Sequence, residues 1–153
     1  ELVSEIKSRY RTLEDPKYWA MGGQSSGGWG AFNIGLRYLN NFNILFSHSG
    51  YFIDQSGKAN SPKYLVDQLS IKDRQKLRAY LDAGEGDEKF LTSTQYFHEQ
   101  LSRLGIANEF KKFPGGHGIV GPDVGWNYWH KHLADSLSYV GKQFNISLAT
   151  QQK

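Results

Sequence analysis

The sequence predicts a single α/β domain in which a parallel β-sheet carries helices on both faces. Short apolar segments of strand length alternate along the 153 residues with longer segments whose apolar residues recur at helical spacing. The predicted strands end in glycine-rich turns, and no repeat, low-complexity segment or linker divides the chain. Strands that alternate with helices are typical of parallel sheets, and this length is sufficient for one domain with its own core.

The individual elements follow from periodicity and turn signals. Leu2, Ile6 and Tyr10 recur at helical spacing and predict a first helix over residues 1–10. Asp15-Pro16 forms a turn before a strand over 17–24, and a helix over 29–39 follows that strand. The remaining predicted elements are strands over 43–47, 77–83 and 107–113, helices over 92–104 and 124–144, a short helix at 64–69 within an irregular stretch over 51–72, and a polar tail over 145–153.

Composition argues against several classes of function. The net charge is +3, with basic and acidic residues interspersed, so the sequence lacks the basic stripe of a nucleic-acid binder. No apolar run has the length of a membrane span. The chain contains no cysteine, which excludes disulfides, thiolate metal sites and cysteine nucleophiles. We therefore expect neither a nucleic-acid nor a membrane partner.

The segment Gly23-Gln24-Ser25-Ser26-Gly27 matches the pattern G-x-S-x-G at the junction of a predicted strand and a predicted helix. A serine at such a sharp turn has a strained backbone and exposes its hydroxyl above the sheet, which is typical of a nucleophilic serine. We expect that glycine is required at positions 23 and 27, because strand and helix approach each other there and a side chain would collide. The alternative interpretation is that Ser25 is an ordinary helix N-cap.

An acid and a histidine follow at the ends of later predicted strands. Since the carboxyl ends of parallel strands meet at one edge of a sheet, Ser25, Asp87 and His117 are expected to converge. We predict that His117 accepts the proton of Ser25 and that Asp87 orients the imidazole. Glu85 and Asp54 are rival candidates for the acid. Asp87 could also be a plain turn residue and His117 a plain loop residue.

Three further residues are expected at the same site. The backbone N–H of Ser26, the residue after the serine, is predicted to stabilise the oxyanion. Gln24 flanks the serine and Trp126 lies close to His117 in the sequence, so we expect both to contact substrate. No metal site or cofactor is implied: His130 and His132 are two residues apart on a predicted helix and face different directions.

These motifs resemble the esterase D-like branch of the α/β-hydrolase fold, which includes feruloyl and acetyl-xylan-type esterases, S-formylglutathione hydrolases and enterochelin-type esterases. The resemblance is carried by the elbow at 23–28, by residues 80–88 and by Phe113-Pro114-Gly115-Gly116-His117. It implies a serine carboxylic ester hydrolase that works through an acyl-enzyme, with Ser25, Asp87 and His117 as nucleophile, acid and base. A thioesterase or peptidase with the same triad is an alternative, and so is a catalytically incomplete fragment that acts as a binding module.

The resemblance covers only part of that fold. The family has eight strands and this chain has four predicted ones, so residues 1–144 resemble the C-terminal half of the domain. The loop that supplies the second oxyanion donor in the family has no counterpart here, and the strand over 17–24 would be an unpaired apolar edge. We therefore expect association with an N-terminal half or with a second copy of the chain. The expected substrate is a small-molecule or carbohydrate-linked ester.

Overall fold

A parallel sheet in the order β1-β2-β3-β4 forms the centre of the molecule. The computed structural model describes the backbone of residues 1–151 and the side chains of residues 1–149. Within that part of the chain the strands are β1 (Ala20–Gln24), β2 (Ile44–His48), β3 (Arg78–Gly84) and β4 (Ala107–Phe113). The α-helices are α1 (Leu2–Arg9), α2 (Ser26–Gly35), α3 (Pro62–Asp67), α4 (Ile71–Lys76), α5 (Glu88–Arg103) and α6 (Trp126–Gln151). The predicted α/β class with a four-stranded parallel sheet is confirmed.

The sheet separates two apolar clusters, because successive side chains of a strand point to opposite faces. The larger cluster lies under α2 and α5 and includes Phe32, Leu36, Leu45, Phe52, Leu81, Phe97 and Leu101. In it the ring centroid of Phe97 lies 4.0 Å from that of Phe52 and 5.3 Å from that of Phe32. The smaller cluster lies under α6 and includes Ile44, Tyr80, Tyr139 and Val140. Burial of these side chains supplies the main free energy that holds the helices on the sheet.

The strand register brings three functional segments to one edge. Gln24 at the end of β1 pairs with His48 at the end of β2, and His48 pairs with Asp82 of β3. Each of these positions lies at or near the carboxyl end of its strand. The loops that follow β1, β3 and β4 therefore leave the sheet at the same edge.

The first two predicted elements after α1 begin at different residues from those expected. Residues 16–18 form a 3-10 turn, capped by the Asp15 side chain, which accepts a hydrogen bond of 3.0 Å from the Lys17 N–H. The strand β1 consequently begins at Ala20. Helix α2 begins at Ser26, directly after the elbow, and not at residue 29 as predicted. The prediction placed the start later because the glycines at 27, 28 and 30 hide the helical periodicity of the apolar residues.

Later helices also differ from the prediction. Helix α4 was not predicted, although Ser70 caps it by accepting a hydrogen bond of 3.1 Å from the Asp73 N–H. Helix α5 begins at Glu88, four residues earlier than expected. Helix α6 continues to Gln151, so the predicted polar tail is helical as far as that residue. Residues 152 and 153 of that tail lie outside the described residues.

Strand β1 has a neighbour on one side only within residues 1–151. An apolar groove of about 370 Å³ is lined in part by Trp19, the residue that directly precedes β1. It is lined by Ile6, Thr12, Leu13, Tyr18, Trp19, Phe144 and Leu148. Among the described residues, no helix combines the length and the apolar character that crossing a membrane requires.

Candidate active site

Ser25 occupies a strained elbow between β1 and α2. Its backbone has φ 54° and ψ −120°, a conformation that a residue with a side chain rarely adopts. The Ser25 N–H donates a hydrogen bond of 2.9 Å to the carbonyl of His48, which fixes the elbow to the neighbouring strand. A side chain at Gly23 would lie 2.6 Å from the backbone of Gly27, so only glycine fits there.

The prediction that a side chain at position 27 would collide with the strand is wrong. A Cβ atom at Gly27 would meet no atom within 4 Å, whereas one at Gly28 would lie 2.2 Å from the hydroxyl oxygen of Ser47 on β2. The close approach of helix and sheet is therefore at Gly23 and Gly28. At Gly27 it is the backbone itself that lies against Gly23.

Asp87 and His117 are in direct contact. The Asp87 Oδ2 atom accepts a hydrogen bond of 2.7 Å from Nδ1 of His117 and one of 2.5 Å from the His117 backbone N–H. A carboxylate at Nδ1 favours the tautomer in which that nitrogen carries the proton, which leaves the lone pair on Nε2. The ring of Phe90, in the first turn of α5, stacks on the imidazole at 4.0 Å between centroids. Asp87 and Phe90 together define the orientation of the ring.

Ser25 and His117 line the same cleft, which has a volume of about 550 Å³. Its other walls are Gly22, Gly23, Gln24, Gly118, Gly125, Trp126 and Trp129. The Nε2 atom of His117 is buried and has no hydrogen-bond partner among the described side chains. A histidine nitrogen with a free lone pair, in a cleft that also contains a serine, can accept the serine proton once substrate tightens the geometry.

The two rival acids lie elsewhere. Glu85 is exposed at the start of the loop. Asp54 accepts hydrogen bonds from the hydroxyl and, at 2.8 Å, from the N–H of Ser56, and these bonds lower the pKa of its carboxyl. Of the three carboxylates considered from the sequence, only Asp87 contacts His117 in the described part of the chain.

The predicted oxyanion donor is Ser26, the first residue of α2. The N–H groups of the first turn of a helix have no acceptor within the helix, and the helix dipole favours negative charge there. An oxygen anion beside Ser25 could therefore accept a hydrogen bond from this N–H group.

The two predicted substrate contacts differ in character. Gln24 lines the cleft, but its amide nitrogen donates a hydrogen bond of 3.2 Å to the carbonyl of Gly125 and so joins the elbow to the loop after β4. Trp126 is 74 % exposed at the rim and meets Trp129 edge to face at 5.0 Å. Its free face is available to a ligand.

The path of the loop after β4 is determined by glycine backbone conformations and main-chain hydrogen bonds. Gly115, Gly116, Gly118, Gly121 and Gly125 all have positive φ, and a Cβ at Gly116 would lie 2.3 Å from Asp87. The N–H of Gly125 donates to the carbonyl of Gly116 at 2.7 Å, which closes the loop. Between these glycines, the side chains of Ile119 and Val120 face solvent.

Phe90 was not predicted as a site residue. The signal was present in its spacing, because residues three apart at the start of a helix share one side, and Phe90 follows Asp87 by three.

Comparisons with known proteins point to one family. The family model described as Putative esterase matches residues 1–140. A ferulic acid esterase of known structure is 25% identical with a TM-score of 0.79, over 94% of this chain and 58% of that one. The search of curated proteins found no match.

Two further structures share the fold. An S-formylglutathione hydrolase from Staphylococcus aureus is 18% identical, with a TM-score of 0.69 over 91% of this chain and 57% of that one. An enterobactin esterase from Shigella flexneri is 22% identical, with a TM-score of 0.72 over 94% of this chain and 36% of that one. The chain thus spans little more than half the length of the ferulic acid esterase and less of the enterobactin esterase. Because the family model covers most of the chain, the protein belongs to this esterase family and has its α/β fold.

Proposed function

We propose that the protein hydrolyses carboxylic esters through an acyl-enzyme formed on Ser25. The observation that carries the proposal is the strained elbow of Ser25, which opens into the same cleft as a histidine bonded to a carboxylate. Membership of the esterase family supports the same reaction class.

In the proposed reaction, the Ser25 oxygen attacks the ester carbonyl and His117 Nε2 accepts the serine proton. The tetrahedral oxyanion accepts a hydrogen bond from the Ser26 N–H. Collapse breaks the ester C–O bond, and His117 returns the proton to the leaving alcohol. Water then attacks the acyl-enzyme, with His117 again accepting a proton, and the acid and the free serine are released. These steps use the side chains of Ser25 and His117, the backbone N–H of Ser26 and water.

Asp87 and Phe90 support the charged form of His117 in this scheme. The carboxylate compensates the positive charge that the imidazole gains. The face of the Phe90 ring, 4.0 Å away, is attractive to a cation. Both contacts are made before substrate arrives, so they require no reorganisation during the reaction.

The substrate is proposed to be a small-molecule or carbohydrate-linked ester. The name of the ferulic acid esterase indicates that a relative with this fold acts on an ester of an aromatic acid. Exposed Trp126 at the rim of the cleft offers a flat apolar face to such a group or to a sugar ring.

A fluorophosphonate probe tests the proposal. We expect one phosphonyl group per chain, located at Ser25 by peptide mass spectrometry, because only a serine activated by a base reacts readily. Ser8→Ala removes an exposed serine of α1 and should leave labelling unchanged. Absence of labelling in the complete domain would contradict the proposal and favour an inert binding module.

The same labelling would be given by a thioesterase or a peptidase. Side-by-side assays with oxygen-ester, thioester and amide forms of one acyl group separate these activities. We expect the oxygen ester to be hydrolysed fastest. A preference for the thioester or the amide would replace the esterase assignment while retaining the triad.

The unpaired edge of β1 and its apolar groove are proposed to bind the remainder of a hydrolase domain. The chain spans 58% of the ferulic acid esterase, and an open apolar strand edge is prone to pair with another chain. We expect the 153-residue chain alone to form dimers or larger species in size-exclusion chromatography with light scattering. A stable, folded monomer of 17.4 kDa would contradict this proposal.

A further inference from the structure

A group of buried polar side chains lies on the α6 face of the sheet, behind the cleft. His48, Asp82 and Ser136 are fully buried, as is Tyr128. Nδ1 of His48 lies 2.7 Å from Asp82 Oδ2, and its Nε2 lies 3.0 Å from the Ser136 hydroxyl. The Tyr128 hydroxyl donates a hydrogen bond of 2.9 Å to Asp82 Oδ1. We call these four residues the buried polar network.

The network is composed of the residue types of a hydrolytic triad but is not a second active site. The imidazole of His48 lies between Ser136 and Asp82, within 3.0 Å of an oxygen atom of each. None of the three side chains, however, is accessible to a substrate. The Ser136 hydroxyl donates a hydrogen bond of 3.0 Å to the carbonyl of Leu133. The network therefore has no nucleophile available for chemistry.

Its backbone is connected to the nucleophile and to the acid loop. The carbonyl of His48 accepts the hydrogen bond from the Ser25 N–H. The carbonyl of Asp82 accepts a hydrogen bond of 2.7 Å from the N–H of Ser49, a residue with φ 48°. The hydroxyl of Ser49 accepts in turn from the N–H of Gly84, three residues before Asp87. Displacement of His48 or Asp82 would therefore move both Ser25 and the loop that holds Asp87.

Tyr128 connects the network to the histidine loop. It lies in the first turn of α6, three residues after Gly125. The carbonyl of Gly125 accepts the hydrogen bond from Gln24, and its N–H closes the loop that carries His117. Burial and the adjacent Asp82 carboxylate raise the pKa of Tyr128, so its hydroxyl stays protonated and remains a donor. All three segments of the site are thus linked to Asp82 through His48, Ser49 or Tyr128.

Stability alone does not explain such a network. Well-packed apolar side chains often stabilise a core as much as buried charged and polar groups, whose loss of hydration is costly. Polar groups inside a core do, however, restrict the number of arrangements in which every partner is satisfied. A triad requires placement to within a fraction of an ångström, which is the property that such a restriction supplies.

We infer that His48, Asp82 and Tyr128 are positioning residues for the proposed hydrolysis. They connect the ends of β1, β2 and β3 to α6. In this way they hold Ser25, Asp87 and His117 at fixed positions relative to one another. This inference rests on the proposed function. It assigns to the network an effect on the rate of the chemical steps rather than on substrate binding.

Tyr128→Phe tests the inference with the least change of volume. We expect kcat for a p-nitrophenyl ester to fall roughly tenfold to a hundredfold with KM unchanged, the effect of a small misplacement of reacting groups. The matched control is Tyr139→Phe, which removes a hydroxyl from another buried tyrosine of α6, farther from the cleft. Both variants are compared with wild type in the complete domain, at a temperature at which circular dichroism shows all three folded.

Active-site titration with the fluorophosphonate separates positioning from folding. If Tyr128→Phe only lowered the folded fraction, the number of titrated sites would fall while the rate per site stayed the same, and the inference would be overturned. An unchanged kcat, or an equal loss in Tyr139→Phe, would also overturn it. If Ser25→Ala retained wild-type hydrolysis, the proposed function would fail first, an outcome that is distinct from the other two.

Discussion

Replacing Ser25 by alanine is expected to lower kcat for p-nitrophenyl acetate by roughly 10⁶-fold, the scale found when the nucleophile of a serine hydrolase is removed. Alanine cannot form the acyl-enzyme, so only direct attack by water remains. The variant should fold, because alanine is smaller than serine and the N–H that bonds to the His48 carbonyl is retained. Initial rates measured at substrate saturation in the complete domain provide the test.

The control for this experiment addresses the strained backbone of the elbow. Alanine at φ 54° carries the same strain as serine, so thermal unfolding midpoints of wild type and variant should agree within a few degrees. Hydrolysis within tenfold of wild type, at equal protein concentration and with equal unfolding midpoints, would show that Ser25 is not the nucleophile.

Replacing Asp87 by alanine is expected to lower kcat by roughly 10⁴-fold, the scale reported for loss of a triad acid. Two hydrogen bonds to His117 disappear together, one from the ring and one from the backbone N–H. The ring loses its preferred tautomer, and the loop loses a contact that holds it beside the start of α5. The loss is measured as kcat/KM and kcat with the same ester.

Asp87→Asn should be considerably milder than Asp87→Ala. Because the backbone N–H and the ring N–H of His117 both donate to the same oxygen, an amide would place its own oxygen there. The correct tautomer would be retained, and only the negative charge that stabilises the imidazolium would be lost. Equal losses in the two variants would contradict this reading of the geometry, as would full activity in Asp87→Ala.

The parts of the fold that could be read from the sequence are those with strong local chemistry. The elbow could be predicted because a strand, a glycine-flanked serine and a helix follow within a few residues. Strand β4 was predicted with its observed bounds, since Gly105 before it and Pro114 after it mark both ends. The convergence of Ser25, Asp87 and His117 was predicted from the rule that the carboxyl ends of parallel strands meet at one edge of the sheet.

The features that could not be predicted depend on contacts between distant segments. The pairing of His48 with Asp82 requires the register between β2 and β3, and the contact of Tyr128 with Asp82 requires the docking angle of α6. Neither the register nor the docking angle can be predicted from a local sequence pattern. The glycine at 28 was similarly ambiguous, because only the position of Ser47 shows which glycine of the elbow region must lack a side chain.

In the loop that carries His117, the residues that determine its path differ from the residues whose side chains face solvent. Its course is set by glycines and main-chain hydrogen bonds, while Ile119 and Val120 at its outer turn project away from the protein. Substitution of these two side chains is therefore expected to leave the course of the loop and the position of the imidazole unchanged, so both positions should tolerate new side chains.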